Sequence, residues 1–305
     1  MGAERALTAT LRSFFPARAD VHVEIGDDAA VVDARRGKLA MCCDPVVEGV
    51  HFESGAAPER IGRKAVNRNL SDLAAMGARA DWLLVSLILP HDTPRARLRG
   101  LLRGVRAAAS AAGAVVVGGD VACAHGPLTV TVSATGRAPA APLRRDALRV
   151  GDALHVTGPL GGSMDGHHLV FRPHLAEGAW LARQAAVRAA IDVSDGLVLD
   201  LQAMLEASGG LGAELYAGAV PVRAAARRLA SGCAERALHR ALYDGEDHCL
   251  LFGARAGAEL GADGPLTARA RVPIGRVVSA PGVLLVSRGA RQQLEISGYE
   301  HGVAP

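Results

Sequence analysis

The spacing of hydrophobic positions changes period repeatedly along the chain, and the changes mark out alternating strands and helices. Strand-like runs fall at Ala29–Asp33 and Lys38–Asp44, set as a pair around a polar Arg35-Arg36-Gly37 turn. From Pro58 the spacing becomes helical, with Ile61, Ala65, Leu73 and Met76 on one face and Gly77 as the stop. The apolar run Trp82–Leu89 predicts a buried strand. Thr93-Pro94 predicts a capped helix start, with Leu98, Leu101, Leu102 and Val105 on one face and Gly113 as its end. Strands are expected again at Ala114–Val117 and Leu128–Gly136. Arg137–Leu143, carrying Pro139 and Pro142 among alanines, reads as a linker. Beyond it, strands are expected at Ala153–Thr157, Ala190–Val193, Leu250–Phe252 and Gly282–Val286. A glycine turn at Gly158–Gly162, helical segments up to about Arg188 and a helix at Gly196–Ser208 complete the pattern. The pattern predicts an α+β (mixed α/β) protein of two domains, residues 1–140 and 141–305.

Composition narrows the function more than the fold. Half of the 305 residues are hydrophobic and 21% are charged, enough for two cores and too ordered a mix for a disordered chain. The net charge is +3, the basic residues are dispersed, and aromatics are 3%, so neither a basic patch nor a stacking platform for nucleic acid is expected. No run approaches the roughly 18–20 apolar residues of a membrane span. Residues 1–16 mix Glu4, Arg5 and Arg12 with apolar positions and lack the continuous apolar stretch of an export signal. Five cysteines without CxxC spacing suggest neither disulfides nor zinc, and a reducing cytoplasm is the expectation.

The chemistry lies in aspartates at strand ends and helix starts, each beside glycine or small residues. Asp27 and Asp28 follow Gly26, Asp44 ends its strand, and Asp72 sits on the Pro58 helix. Asp120 closes Gly118-Gly119-Asp120, Asp192 and Asp195 bracket Ser194, and Glu246 and Asp247 follow Gly245. Strands ending together would deliver these acids to one place, and clustered carboxylates repel unless cations lie between them. Mg²⁺ accepts a few carboxylates with waters and substrate phosphates, so the set points to phosphate chemistry. The phosphate-loop, dinucleotide, protein-kinase, GxSxG and HExxH signatures are missing. Gly161-Gly162-Ser163 reads as a plain turn, with a phosphate at a helix start as the alternative. His167, His168 and His174 read as surface histidines, because adjacent helical residues point apart.

Seven segments carry a resemblance. Ile25–Val31, Asp44–Phe52, Asn69–Ala78, Gly118-Gly119-Asp120, Gly151-Asp152 with Val156-Thr157-Gly158, Ile191–Leu197 and Gly245-Glu246-Asp247 together resemble thiamine-monophosphate kinases. Gly298-Tyr299-Glu300-His301 resembles the family's C-terminal end. The wider superfamily includes aminoimidazole ribonucleotide synthetase, selenophosphate synthetase and a hydrogenase maturation factor. The resemblance implies that superfamily's two-domain fold and a homodimer whose N-terminal domains pair into a β-barrel. Apolar strands such as Leu83–Leu89 and Val130–Ala134 would be covered by that pairing. It further implies transfer of the γ-phosphoryl of ATP to the phosphate of thiamine monophosphate. By position, Asp28, Asp44, Asp72, Asp120, Asp192 and Asp195 would hold Mg²⁺, with Asp28, Asp72, Asp120 and Asp192 central to catalysis. Gly119, Asp120, Arg145 and Ser194 would touch ATP, while His51 and Glu246 would face the acceptor. The alternatives are a superfamily enzyme acting on another phosphate, carboxylate or amide, or a non-catalytic nucleotide-binding relative.

The chain also departs from the resembled pattern. Cys42 and Cys43 stand where hydroxyl residues are usual, Val121 replaces a threonine, and His248-Cys249 replace Tyr-Glu. No aromatic follows His301 to stack on the acceptor, so weaker acceptor binding is expected unless Tyr299 or Trp180 supplies a face.

Overall fold

The computed structural model describes residues 11, 14–15, 18–23, 31–32 and 37–299. Its contacts divide into two compact units. The first comprises residues up to Leu73 together with Ala78–Ala140, and the second Ala74–Gly77 with the residues from Ala141 onward.

The first unit runs β1 (Val21–Val23), β2 (Val31–Val32), β3 (Leu39–Val47), α1 (Pro58–Ala75), β4 (Arg79–Pro90), α2 (Arg95–Ala111), β5 (Val115–Ala124) and β6 (Thr129–Arg137). Four strands form an open sheet in the order β3-β6-β4-β5, with only β4 and β5 parallel. The sheet is two-faced because its sequences alternate. In β6, Val130, Val132 and Ala134 are buried while Thr129, Thr131 and Ser133 lie on the other face. The inner face carries Leu83 and Leu87, and the helices bury Ile61, Leu70, Leu101, Leu102 and Val105. On the outer face Met41, Leu84 and Ile88 are exposed. The expected pairing of Val31 with the Lys38–Asp44 strand is not formed. Among the described residues Val31–Val32 pairs with Val21–Val23, and β3 pairs along one edge with β6. Residues 33–36 of the expected turn lie outside the described residues. The expected Thr93 cap is likewise replaced: its hydroxyl donates to the Pro90 carbonyl (2.7 Å), and Pro94 precedes α2 with no side-chain cap.

In the second unit come β7 (Ala153–Val156), a 3₁₀ turn (His167–Leu169), α3 (Leu175–Leu181), β8 (Val187–Asp192), α4 (Leu197–Ala207), β9 (Gly212–Tyr216), α5 (Ala224–Leu229) and α6 (Ala234–Tyr243). The strands β10 (Leu250–Ala254), β11 (Gly275–Val278), β12 (Gly282–Ser287) and β13 (Ala290–Gln293) complete a seven-stranded sheet, ordered β13-β12-β9-β11-β7-β10-β8. Both faces are covered. Leu154, Val156, Ile191 and Leu251 pack with Leu197, Leu201 and Leu242 on one side, while Ala190, Leu250 and Phe252 pack with Trp180 and Leu181 on the other. No helix among the described residues is long and apolar enough to cross a membrane.

Candidate active site

In the first unit the site is assembled around Asn69, a fully buried residue of α1. Its Oδ1 accepts the Asp44 backbone N–H (3.0 Å), and its Nδ2 donates to the carbonyls of Ala65 (3.1 Å) and Asp44 (3.4 Å). This fastens β3 to the helix one turn before Asp72. The Cys42 thiol donates to the Asn69 carbonyl (3.2 Å) and lies in hydrogen-bonding reach of Asp72. Burial first, then the charges of Asp72 and Asp44, push that thiol far up, so it stays protonated beside two carboxylates. Asp44, Asp72 and Cys42 are therefore neighbours.

Asp120 is not with them. Register places Asp120 in a row with Ser86, Thr131 and Pro45 on the outer face, while Asp44 follows the inner side of β3. The two acids occupy opposite edge strands, three spacings or roughly 14 Å apart. Gly119 precedes Asp120 with φ at +150°, where a Cβ would lie 1.8 Å from the Val85 carbonyl oxygen, so glycine alone lets β5 stay paired. Asp28 lies outside the described residues.

His51 is buried in the turn after β3. Its backbone N–H donates to the Val47 carbonyl (2.8 Å), and its Nδ1 accepts the Val47 N–H (3.1 Å). The neutral ring therefore carries its proton on Nε2. The fully buried Lys64 ammonium donates to the His51 carbonyl (2.6 Å).

The second unit's acids come from two loops stitched side by side. Glu246 N–H donates to the Ser194 carbonyl (2.6 Å), His248 N–H to Val193 (2.8 Å), and Val193 N–H to Cys249 (2.8 Å). A Cβ on Gly245 would meet the Ser194 carbonyl oxygen at 2.7 Å, so a glycine is needed there. The buried Asp200 caps the turn into α4, its Oδ2 accepting the N–H groups of Asp195 (3.1 Å) and Gly196 (3.2 Å). Burial, then Asp192 and Asp195, hold the Asp200 carboxyl well above the usual carboxylate range. Between Asp192 and Glu246 lies His248. Its Nδ1 is 3.4 Å from Asp192 Oδ2, and its Nε2 3.0 Å from Glu246 Oε2. Burial opposes its charged form, but the two carboxylates prevail and raise the imidazole to about 9.

Arg145 sits in an exposed loop. Its carbonyl accepts the Ser208 hydroxyl (3.2 Å) just beyond α4. Asp247, read from sequence as one more site acid, is an internal anchor. Its carboxylate accepts from Gly161 N–H (2.7 Å), the Ser163 hydroxyl and Arg223 (3.0 Å). Gly162 N–H donates to Asp244 (2.8 Å). Two N–H groups that could have cradled a phosphate are thus taken by the protein's own carboxylates. The surface reading of the histidines fails for His168, which is buried with Nδ1 3.0 Å from the Ser163 carbonyl oxygen. Half-buried His167 is pulled down to about 4 by burial and then by Arg223 and His248.

Oxygen donors dominate both acid sets, which suits a hard cation such as Mg²⁺. Among the described residues no three His, Cys, Asp or Glu side chains converge as a complete metal-holding group.

The family model for the AIR synthase related protein N-terminal domain matches residues 26–138. A thiamine-monophosphate kinase of Rhodopirellula baltica is 39% identical over 258 residues, covering 82% of this chain and 81% of the relative. The chain belongs to the thiamine-monophosphate kinase family. The fold agrees. The thiamine-monophosphate kinase crystal structure from Stenotrophomonas maltophilia superposes with a TM-score of 0.79 at 32% identity, covering 94% of this chain and 98% of that one. AaThiL complexed with AMPPCP and TMP superposes at 0.77 with 26% identity, covering 98% and 96%.

Within this family's frame, the two rings considered for an acceptor stack part company. Trp180 is buried in the core with Leu250 and Phe252 and offers no open face. Tyr299 is exposed, and its N–H donates to the Asp195 carbonyl (3.0 Å), which places it beside the kinase family's acidic loop. Asn69 and Asp200 were missed in the sequence, although each left a signal: Asn69 lies three residues before Asp72, and Asp200 in the first turn after Gly196. Lys64 left none.

Proposed function

We propose that this chain transfers the γ-phosphoryl of ATP to the phosphate of thiamine monophosphate, giving ADP and thiamine diphosphate. The observation that carries the reading is family membership along most of the chain, joined to acid sets at the matching motifs in each unit. The acceptor oxygen is already anionic near neutral pH, so the reaction calls for no general base. What the protein supplies is alignment and charge compensation, because two polyanions must meet. Asp28, Asp44, Asp72, Asp120, Asp192 and Asp195 are the proposed Mg²⁺ holders, and a bound cation would neutralise developing phosphate charge. Gly119, Asp120, Arg145 and Ser194 are proposed to meet ATP, and His51 and Glu246 the acceptor. In this reading residues 1–140 bind nucleotide and dimerise, residues 141–305 complete the pocket, and the enzyme works in the cytoplasm.

Stoichiometric ADP and thiamine diphosphate are expected from ATP, Mg²⁺ and thiamine monophosphate, with loss on chelation. A panel of other phosphorylated metabolites and purine intermediates tests the acceptor. Turnover on one of these with none on thiamine monophosphate would transfer the assignment to another superfamily reaction.

The homodimer belongs to the same proposal, with a change in the surface. Leu83, Leu87, Val130 and Val132 are buried within one chain, so they cannot be the paired surface. The outer face, where Met41 is 76% exposed and Leu84 and Ile88 are exposed two strands away, suits it better. Sedimentation should give a dimer at micromolar concentration and a monomer for Leu84→Glu. A wild-type monomer would count against it.

A further inference from the structure

The loop Gly245–His248 bends twice where a non-glycine residue seldom does. Glu246 has φ +63° and His248 φ +50°, both in the left-handed region. The bends stand on either side of Asp247, which Gly161, Ser163 and Arg223 hold, and the backbone hydrogen bonds to Val193 and Ser194 fasten the rest. Their outcome is an imidazole enclosed between Asp192 (3.4 Å) and Glu246 (3.0 Å). Each ring nitrogen meets one carboxylate, so the single ring spans the two acids. Its flat side is closed by Phe171, stacked at 4.2 Å and 16°. Both rings are almost fully buried, at 2% and 3% exposure, and packing leaves the imidazole no room to turn.

Asp192 is a proposed metal holder and Glu246 a proposed acceptor contact. Both acids meet the same buried ring, which is the contact they share. We propose that His248, backed by Phe171, is a positioning residue: it clamps Asp192 and Glu246 at one spacing and so couples the cation end of the site to the acceptor end. The inference rests on the functional reading above for the roles of those two acids. Carboxylate ligands depend on such outer partners, whose loss typically costs 10–100-fold in metal affinity or activity.

His248→Phe keeps a flat ring against Phe171 and removes both ring nitrogens, while His248→Gln restores a polar amide. The measurements are calorimetric Mg²⁺-dependent binding of a non-hydrolysable ATP analogue, steady-state KM and kcat for thiamine monophosphate, and near-UV circular dichroism. The Phe variant should weaken Mg²⁺-dependent nucleotide binding and raise the acceptor KM, each by about 10–100-fold, with a larger change in KM than in kcat and a native spectrum. The Gln variant should recover part of both. Changes under threefold in a folded Phe variant would overturn the clamp. If the Phe variant does not fold, wild-type values in the Gln variant's acceptor KM combined with wild-type values for His248→Ala would overturn it equally. Should wild-type protein not use thiamine monophosphate, the kinase reading fails by itself. A loss of Mg²⁺-dependent nucleotide binding in the Phe variant would still support the clamp at Asp192.

Discussion

Asp72→Asn should lower turnover by on the order of 10³-fold while leaving the fold in place. The substitution keeps the side chain's shape and removes one negative charge from a neighbourhood that also holds Asp44 and the Cys42 thiol. Loss of that charge relieves repulsion between neighbouring carboxylates, so the melting temperature should hold or rise slightly. Nothing apolar is uncovered, and Asn69, which fastens β3 to α1, is untouched. In the proposed reading this carboxylate holds a cation against phosphate, and a kinase that works by charge compensation would lose turnover with it. Steady-state assays with thermal melts decide the matter. Near-normal activity would remove Asp72 from the machinery, and a collapsed melting curve would make its role structural.

The largest loss of stability is expected at Asp247→Ala, at about 3–5 kcal/mol. The carboxylate's side chain is wholly buried, and its removal strands Arg223, whose own side chain is 14% exposed. It also leaves the Gly161 N–H and the Ser163 hydroxyl without their shared acceptor. For a unit of this size the cost corresponds to a fall of roughly 6–20 °C in melting temperature. Asp247→Asn should fall in between, since the amide keeps one acceptor oxygen. Activity should drop as well, because Glu246 and His248 flank the anchor. A cost under about 1 kcal/mol would show that other contacts hold this loop.

The contrast between these two acids shows where sequence reasoning stopped. Asp72 and Asp247 both sit in motifs that resemble the kinase family, and by sequence both are site acids. Only the surroundings distinguish them: Asp247 is encircled by its own chain's donors, whereas Asp72 lies beside Cys42 and Asp44. The same distinction removed Gly161-Gly162-Ser163 from phosphate binding. It sent Trp180 to the core and left Tyr299 at the acidic loop.

What the sequence determined by itself was local. The Pro58 helix, the Trp82–Leu89 strand, the alternation in Thr129–Arg137 and the glycine stops follow from side-chain period and backbone preference, which act over a few residues. The motif aspartates and their family were legible for the same reason. Tertiary structure alone decided what depends on distant partners. It seated β6 and β4 between β3 and β5, so Asp44 and Asp120 came to lie on opposite edges, and it paired Val31–Val32 with Val21–Val23. It also put Glu246 and His248 into left-handed backbone, because the hydrogen bonds to Val193 and Ser194 and the burial of Asp247 outweigh the local preference. Strand order and loop stitching are settled by contacts between residues tens of positions apart, and no short-range pattern carries that information.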